Sequence, residues 1–145
     1  MRPRTLLVAA AVAVLGFAPA PLPRKDRRGD LTDVTGVWEF VECQMNGTAY
    51  AITGQNYNAD MTPERFIFAP KKGGGGTRYD MRLDPRASPP SFTWSQNNRV
   101  SWVGSYRLSK GEMTMIFNSG DRVEQRPTDF AGKPQWRYVL RRIQR

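Results

Sequence analysis

The side chains best able to do chemistry are the acids Asp80, Asp84, Glu112, Asp121, Glu124 and Asp129, and the partners they would need are scarce. Two carboxylates facing each other across a cleft can cleave a glycosidic bond, one as acid and the other as base or nucleophile. No spacing here sets two of these acids on one strand face with an apolar surround, so they read as solvated or salt-bridged surface groups. Histidine is absent. That removes the commonest general base and metal ligand, and with them a His-based catalytic triad and any His-bearing zinc site. Cys43 is the single cysteine, which excludes an intramolecular disulfide and a multi-cysteine metal site. It alternates with Val37 and Val41 and reads as a buried, unreactive thiol. The expectation is a chain that uses no cofactor and no metal and has no catalytic residues.

Binding chemistry is better represented. Trp94, Trp102, Tyr106 and Trp136 are the candidate ligand-binding residues, able to line a cavity and stack on an apolar or sugar ligand; the competing reading makes them plain core. Arg78, Arg82, Arg107 and Arg137 fall on the faces opposite the apolar ones, where they could form a basic surface for acidic polymers. Arg126-Pro127-Thr128-Asp129-Phe130 reads as a structural corner, with Pro127 fixing the turn and Phe130 plugging an opening, or else as a recognition loop. Gly73 to Gly76 lack the G-K-[ST] sequence and following helix of a phosphate loop, and read as a loose hairpin tip.

The elements that must position these residues are strands. Gly36 to Met45 is the first: Val37, Trp38, Phe40 and Val41 are strand formers, and the imperfect alternation at Phe40-Val41 points to a bulge or bend. Asn46-Gly47 is a hairpin signal, and Thr48 to Ile52 reads as a short second strand. Thr53 to Pro63 is a polar loop with room for a short helical turn. Further strands are expected at Arg65–Ala69, Thr77–Leu83, Ser91–Ser95, Val100–Leu108, Met113–Asn118 and Trp136–Arg142. Tyr79, Met81 and Leu83 share one face, as do Val100, Trp102, Gly104, Tyr106 and Leu108. Gly104 on that face marks a bend or a close contact. Eight short strands joined mainly by hairpins predict an all-β, small antiparallel up-and-down barrel, closed to remove its edges. A two-sheet sandwich is the alternative.

Ahead of this domain stands a delivery segment. Met1 to Thr5 is short and basic, Leu6 to Phe17 is apolar, and Ala18-Pro19-Ala20 has the small residues that a signal peptidase reads. Residues 1–20 are therefore expected to be a signal peptide, and the run is short for a membrane span. Pro21 follows the cleavage motif and would hinder cutting there, so either a neighbouring site is used or the leader stays as an uncleaved membrane anchor. Residues 21–30 read as a flexible basic linker, and 31–145 as a single domain. From Gly29 onward the chain holds 16 basic and 12 acidic residues, a net +4. That is an ordinary solubility charge and argues against a nucleic-acid partner.

The order of motifs also carries a resemblance. Leu31 with Gly36-Val37-Trp38, then Gly104-Ser105-Tyr106-Arg107-Leu108, Glu112-Met113-Thr114-Met115, Arg126-Pro127-Thr128-Asp129-Phe130 and Val139-Leu140-Arg141-Arg142 together span residues 31 to 142. In that order the chain resembles a planctomycete-type family of small exported β domains of unknown function, similar to small lipocalin-like barrels. The resemblance implies Trp38 at the barrel floor after Gly36, with Arg141 or Arg142 packed over its ring. The expected protein is an exported, periplasmic or extracellular, monomeric and non-enzymatic domain of the bacterial cell envelope. It would bind a small apolar ligand or an envelope protein or polymer. The alternatives are a hydrolase or isomerase using an Asp or Glu in the barrel mouth, and a purely structural interaction module.

Overall fold

The run Gly-Val-Trp-Glu-Phe sets where the sheet begins. Gly36 takes a φ of +139°, a backbone conformation that side-chain-bearing residues rarely adopt, and from it the chain enters strand β1 (Gly36–Met45). The computed structural model describes residues 33–143, and for Ile52 the backbone alone. The expected signal peptide (1–20), basic linker (21–30) and Leu31 lie outside the described residues. After β1 come a two-residue β2 (Thr48–Ala49), a short helix α1 (Ala51–Asn56), β3 (Tyr57–Thr62), β4 (Arg65–Pro70) and β5 (Thr77–Asp84). Then follow β6 (Ser91–Gln96), β7 (Arg99–Ser109), β8 (Glu112–Ser119) and β9 (Trp136–Arg142).

Each strand from β3 to β9 pairs antiparallel with the next, and β9 returns to pair with β1, from Trp38 opposite Arg142 to Met45 opposite Trp136. That last pairing closes an eight-stranded up-and-down barrel and rules out two separate sheets. β2 lies outside the barrel, bonded to the end of β1 at Gln44 and Met45.

One of the eight staves is not where the sequence suggests. The expected second strand shrinks to β2, and its tail becomes α1. The missing stave is β3, in the stretch expected to be a loop. Its composition hides it: Asn58 and Asp60 are poor strand formers, and Ala59 is small. The alternation is nonetheless present, because Tyr57, Ala59 and Met61 share the inward face, with Ala59 and Met61 buried. Ala59 must be small because it sits opposite Trp38 on one side and Phe68 on the other.

Turn chemistry agrees with the strand ends. Asn46-Gly47, Asn97-Asn98 and Lys110-Gly111 all take positive φ, the conformation that two-residue hairpin loops require. Gly104 serves packing rather than a turn. It lies opposite Phe92, and a Cβ there would stand 2.5 Å from the Phe92 ring and from the Ile116 carbonyl.

The floor of the barrel is built on Trp38, which is 0% exposed. Its Nε1 donates to the Val34 carbonyl at 3.0 Å, which folds the incoming chain beneath the barrel. The Arg142 guanidinium lies 4.7 Å from its ring centroid. Arg141 turns the other way, 3.6 Å from Glu39 on the outer surface. Above the floor, Phe66, Phe92, Trp94, Phe117 and Tyr138 fill the interior.

A second, smaller core lies on the outside. Val103, Ser105 and Ile116 alternate outward yet are buried, because the segment between β8 and β9 straps across them. Pro127 accepts a 2.7 Å hydrogen bond from the Ser105 hydroxyl, and Asp129 caps the Ala131 amide at 2.9 Å. Phe130 is clasped by two arginines: Arg107 stacks 4.0 Å over its ring, and Arg137 donates to its carbonyl.

Two substitutions test this architecture by urea unfolding. Trp38→Ala should cost about 3–5 kcal/mol, since it empties the floor. Ala59→Leu should cost about 1–3 kcal/mol by overpacking against Trp38. A neutral Ala59→Leu would mean that residues 57–62 do not form an inward-facing stave.

Candidate functional site

The open end of the barrel, opposite the Trp38 floor, is shaped by a fault in β1. The register on β9 shifts between Phe40 and Glu42, so Val41 bulges outward and is 47% exposed. Strict alternation from Trp38 and Phe40 would drive Glu42 and Gln44 into the apolar interior. The extra residue instead turns Cys43 inward, opposite Tyr138, and leaves Glu42 outside. There Glu42 accepts a 2.7 Å bond from Gln44 and lies 3.7 Å from Arg137. Cys43 is therefore buried on the face of Trp38 and Phe40, not on the face of Val37 and Val41 with which it alternates in the sequence.

The same fault opens the other side of β1. Pairing with β3 runs only from Gly36 to Glu39. Beyond that, helix α1 fills the gap, with Gly54 against the Phe40 backbone and the Tyr50 amide donating to the Cys43 carbonyl at 2.7 Å. A cleft of about 340 Å³ remains there, lined among others by Phe40, Val41, Glu42, Cys43, Tyr50 and Gly54.

Around this end the inward residues are rings that the core only partly covers. Tyr50, Tyr57, Phe68, Tyr79, Trp102 and Trp136 are half-buried and pack on the core. They are held against one another and against the layer beneath. Tyr50 meets Trp136 edge-on at 5.4 Å, and Trp136 stacks with Phe117 at 6.3 Å. Tyr57 and Tyr79 each stand 6.2 Å from Phe68. Every ring is thus fixed at the moment a ligand would arrive, which lowers the entropy lost on binding.

The four aromatic residues singled out from the sequence divide between two places. Trp94 and Tyr106 are 1% and 2% exposed and belong to the core. Trp94 is enclosed by Phe66 at 4.2 Å, Phe117 at 4.9 Å and Phe92 at 5.1 Å, which leaves its ring no face for a ligand. Trp102 and Trp136 reach the open end, where both pack on Phe117. Tyr50 and Tyr57 join them there, although they fall in segments expected to be a strand and a loop. The signal for Tyr57 was the inward alternation of β3, masked by its polar residues, whereas Tyr50 precedes α1 and had no such signal. Of the outward arginines, Arg107 and Arg137 converge, but on Phe130; Arg78 pairs with Asp80 at 3.2 Å. Among the described residues every strand carboxylate alternates outward, and none is buried.

Burial pushes the Cys43 thiol from 9.0 up to about 11, against a hydrogen bond at Gly54 and with the Glu42 charge adding to the rise. Burial also raises the Tyr138 phenol, with further contributions from Cys43, Tyr79 and Tyr50. No protein-family model, curated protein or solved structure matches the chain.

These raised values set a pH dependence. Between 9.0 and about 11 the unfolded chain releases the Cys43 proton while the folded chain keeps it. Stability is therefore fully present below 9.0 and falls as pH climbs through this window. Urea midpoints should drop over that range, and less steeply in Cys43→Ala. Iodoacetamide at pH 8 should react with the native thiol far more slowly than with free cysteine; an equal rate would show that Cys43 is not enclosed.

Proposed function

We propose that this protein is a non-enzymatic binding module, lipocalin-like in plan, that holds the flat or apolar face of a small ligand on the aromatic rim of a filled barrel. The observation that carries this reading is the ring of half-buried Tyr50, Tyr57, Phe68, Tyr79, Trp102 and Trp136 above a packed core. A deep cup of the kind that swallows a ligand is not the arrangement here, because Trp94, Phe66 and Phe117 occupy the centre. Contact is instead confined to the rim and the adjoining cleft beside α1. Exposed aromatic faces surrounded by polar loops are a usual makeup for such a surface.

Glu42 reaches the cleft beside α1 but is engaged there by Gln44 at 2.7 Å and Arg137 at 3.7 Å, which supports a binding surface over a barrel-mouth hydrolase or isomerase, whose general acid or base must be available to the substrate. Export to the cell envelope, as a member of a family of small exported β domains, is part of the same proposal. It is supported by the leader pattern of residues 1–20 and the motif order from Leu31 to Arg142.

The test uses a neutral apolar dye such as Nile red, followed by dye emission and by quenching of tryptophan fluorescence. Trp136→Ala should weaken dye binding about tenfold or more, as removal of a central aromatic anchor does, while the core mutant Met115→Leu should bind like the wild type. Equal binding by Trp136→Ala and wild type would place the site away from the rim.

A further inference from the structure

The charges around the open end are in slight basic excess. Lys71, Lys72, Arg78, Arg99, Arg122 and Lys133 stand there, all exposed. Four acids share this end: Asp80 lies 3.2 Å from Arg78, Asp121 3.9 Å from Arg122 and Glu42 3.7 Å from Arg137, while Glu124 is exposed two residues from Arg122. Asp33, Asp60, Glu64, Asp84 and Glu112 lie toward the floor instead.

Two of the lysines are set in place beside the rings. The stem of Lys133 lies over the β1–β2 turn, with its Cδ 3.6 Å from where a Cβ on Gly47 would sit. Lys71 is bound twice to the helix that follows Tyr50, its amide to Asn56 at 2.8 Å and its Nζ to Gly54 at 2.7 Å. Tyr50 directly precedes α1, Trp136 lies opposite Met45 at the end of β1, and the two rings meet edge-on.

We propose that this end of the barrel binds an acidic saccharide, with sugar faces on Tyr50 and Trp136 and its carboxylate or sulfate groups on Lys71 and Lys133. The proposal rests on the reading of the aromatic rim as a binding surface. A sugar ring presents an apolar face to stack on a fixed aromatic plate and an edge of hydroxyls. Asn46, Gln55, Asn97 and Asn98, all exposed at this end, can bond such hydroxyls. An anionic membrane would call for a set of large apolar side chains that protrude and insert, whereas these rings are recessed and braced, and the exposed large apolar residues of this end are the aliphatic Val41, Met45 and Val123. A nucleic acid would call for a denser array of cations than the net +4 of the chain from Gly29 onward supplies.

The experiment titrates the full-length protein with a galacturonate hexamer and with its methyl ester, which keeps the rings and removes the charge. Phosphatidylglycerol vesicles form a third arm. Binding is read by tryptophan quenching and calorimetry, with Nile red run in parallel. The galacturonate should bind about tenfold or more tightly than the ester, and high salt should weaken it. Lys71→Gln and Lys133→Gln should each lose about threefold to tenfold while thermal stability holds, and Trp136→Ala should lose more than either. Equal affinity for the acid and its ester would overturn the charge assignment and leave the ring-stacking reading standing. Binding of vesicles alone, or of Nile red alone, would overturn the saccharide. Absence of every ligand, dye included, would remove both the proposal and the reading beneath it.

Discussion

The bulge at Val41 is the constraint on which the rest of the structure turns. β1 must satisfy two partners, β3 and β9, and its sequence cannot do so along its whole length. Trp38 and Phe40 belong inside, but the next residues in strict alternation are Glu42 and Gln44, and an unpaired carboxylate in this ring-filled interior would cost several kcal/mol. One extra residue resolves the conflict by moving Cys43 inward and Glu42 out to Arg137. The resolution has a consequence for the opposite edge. β1 parts from β3 after Glu39, and backbone groups that a stave would have paired must find other partners. Helix α1 and the Tyr50 amide supply them, and the cleft beside Cys43 is what remains of the seam.

The interior accounts for the shallow site. A small barrel without disulfides depends on its core as well as on its closing strand pair, and this one packs rings against rings. Phe66, Phe92, Trp94, Phe117 and Tyr138 meet at tilted and edge-on angles that suit aromatic quadrupoles. Gly104 lets Phe92 lie flat against the neighbouring strand. Such a core is solid, so the rings with surface to offer are those at the last turn of each stave. The core and the proposed binding surface therefore draw on one aromatic network at two depths, Trp94 at the lower and Trp136 at the upper.

Most of this plan can be read in the sequence, because hairpin signals and two-residue alternation are local. Asn46-Gly47, Lys110-Gly111 and the run from Trp102 to Leu108 identify themselves. β3 does not, because its inward residues are ordinary only in company: Ala59 is small to suit Trp38, twenty-one positions away, and Asn58 and Asp60 belong to the outer surface. The division of the four aromatics is equally non-local. Trp94 and Trp102 are direct cross-strand neighbours, yet one is enclosed and the other reaches the open end. That difference depends on how far each ring lies along the barrel axis. The pairing of Arg107 with Arg137 on Phe130 likewise depends on a strap that folds back over three strands.

The arginines and lysines divide the labour, and the division explains where a ligand's charge could be met. Arg142 lies over Trp38, Arg107 and Arg137 hold Phe130, Arg141 faces Glu39 and Arg78 faces Asp80. Each of these uses the flat, weakly hydrated guanidinium, which stacks on rings and bonds carbonyls and carboxylates within the fold. The lysines are different. Lys71 donates its ammonium to the Gly54 carbonyl of α1, Lys133 lays its stem over the β1–β2 turn, and Lys72 is exposed on the glycine-rich tip. An ammonium held this way keeps much of its hydration and its field reaches solvent, screened only beyond about 8–10 Å at physiological salt. The arginines over Trp38 and Phe130 are thus engaged within the barrel, whereas Lys71, Lys72 and Lys133 stand at the end where the half-buried rings lie and Lys110 stands at the floor end.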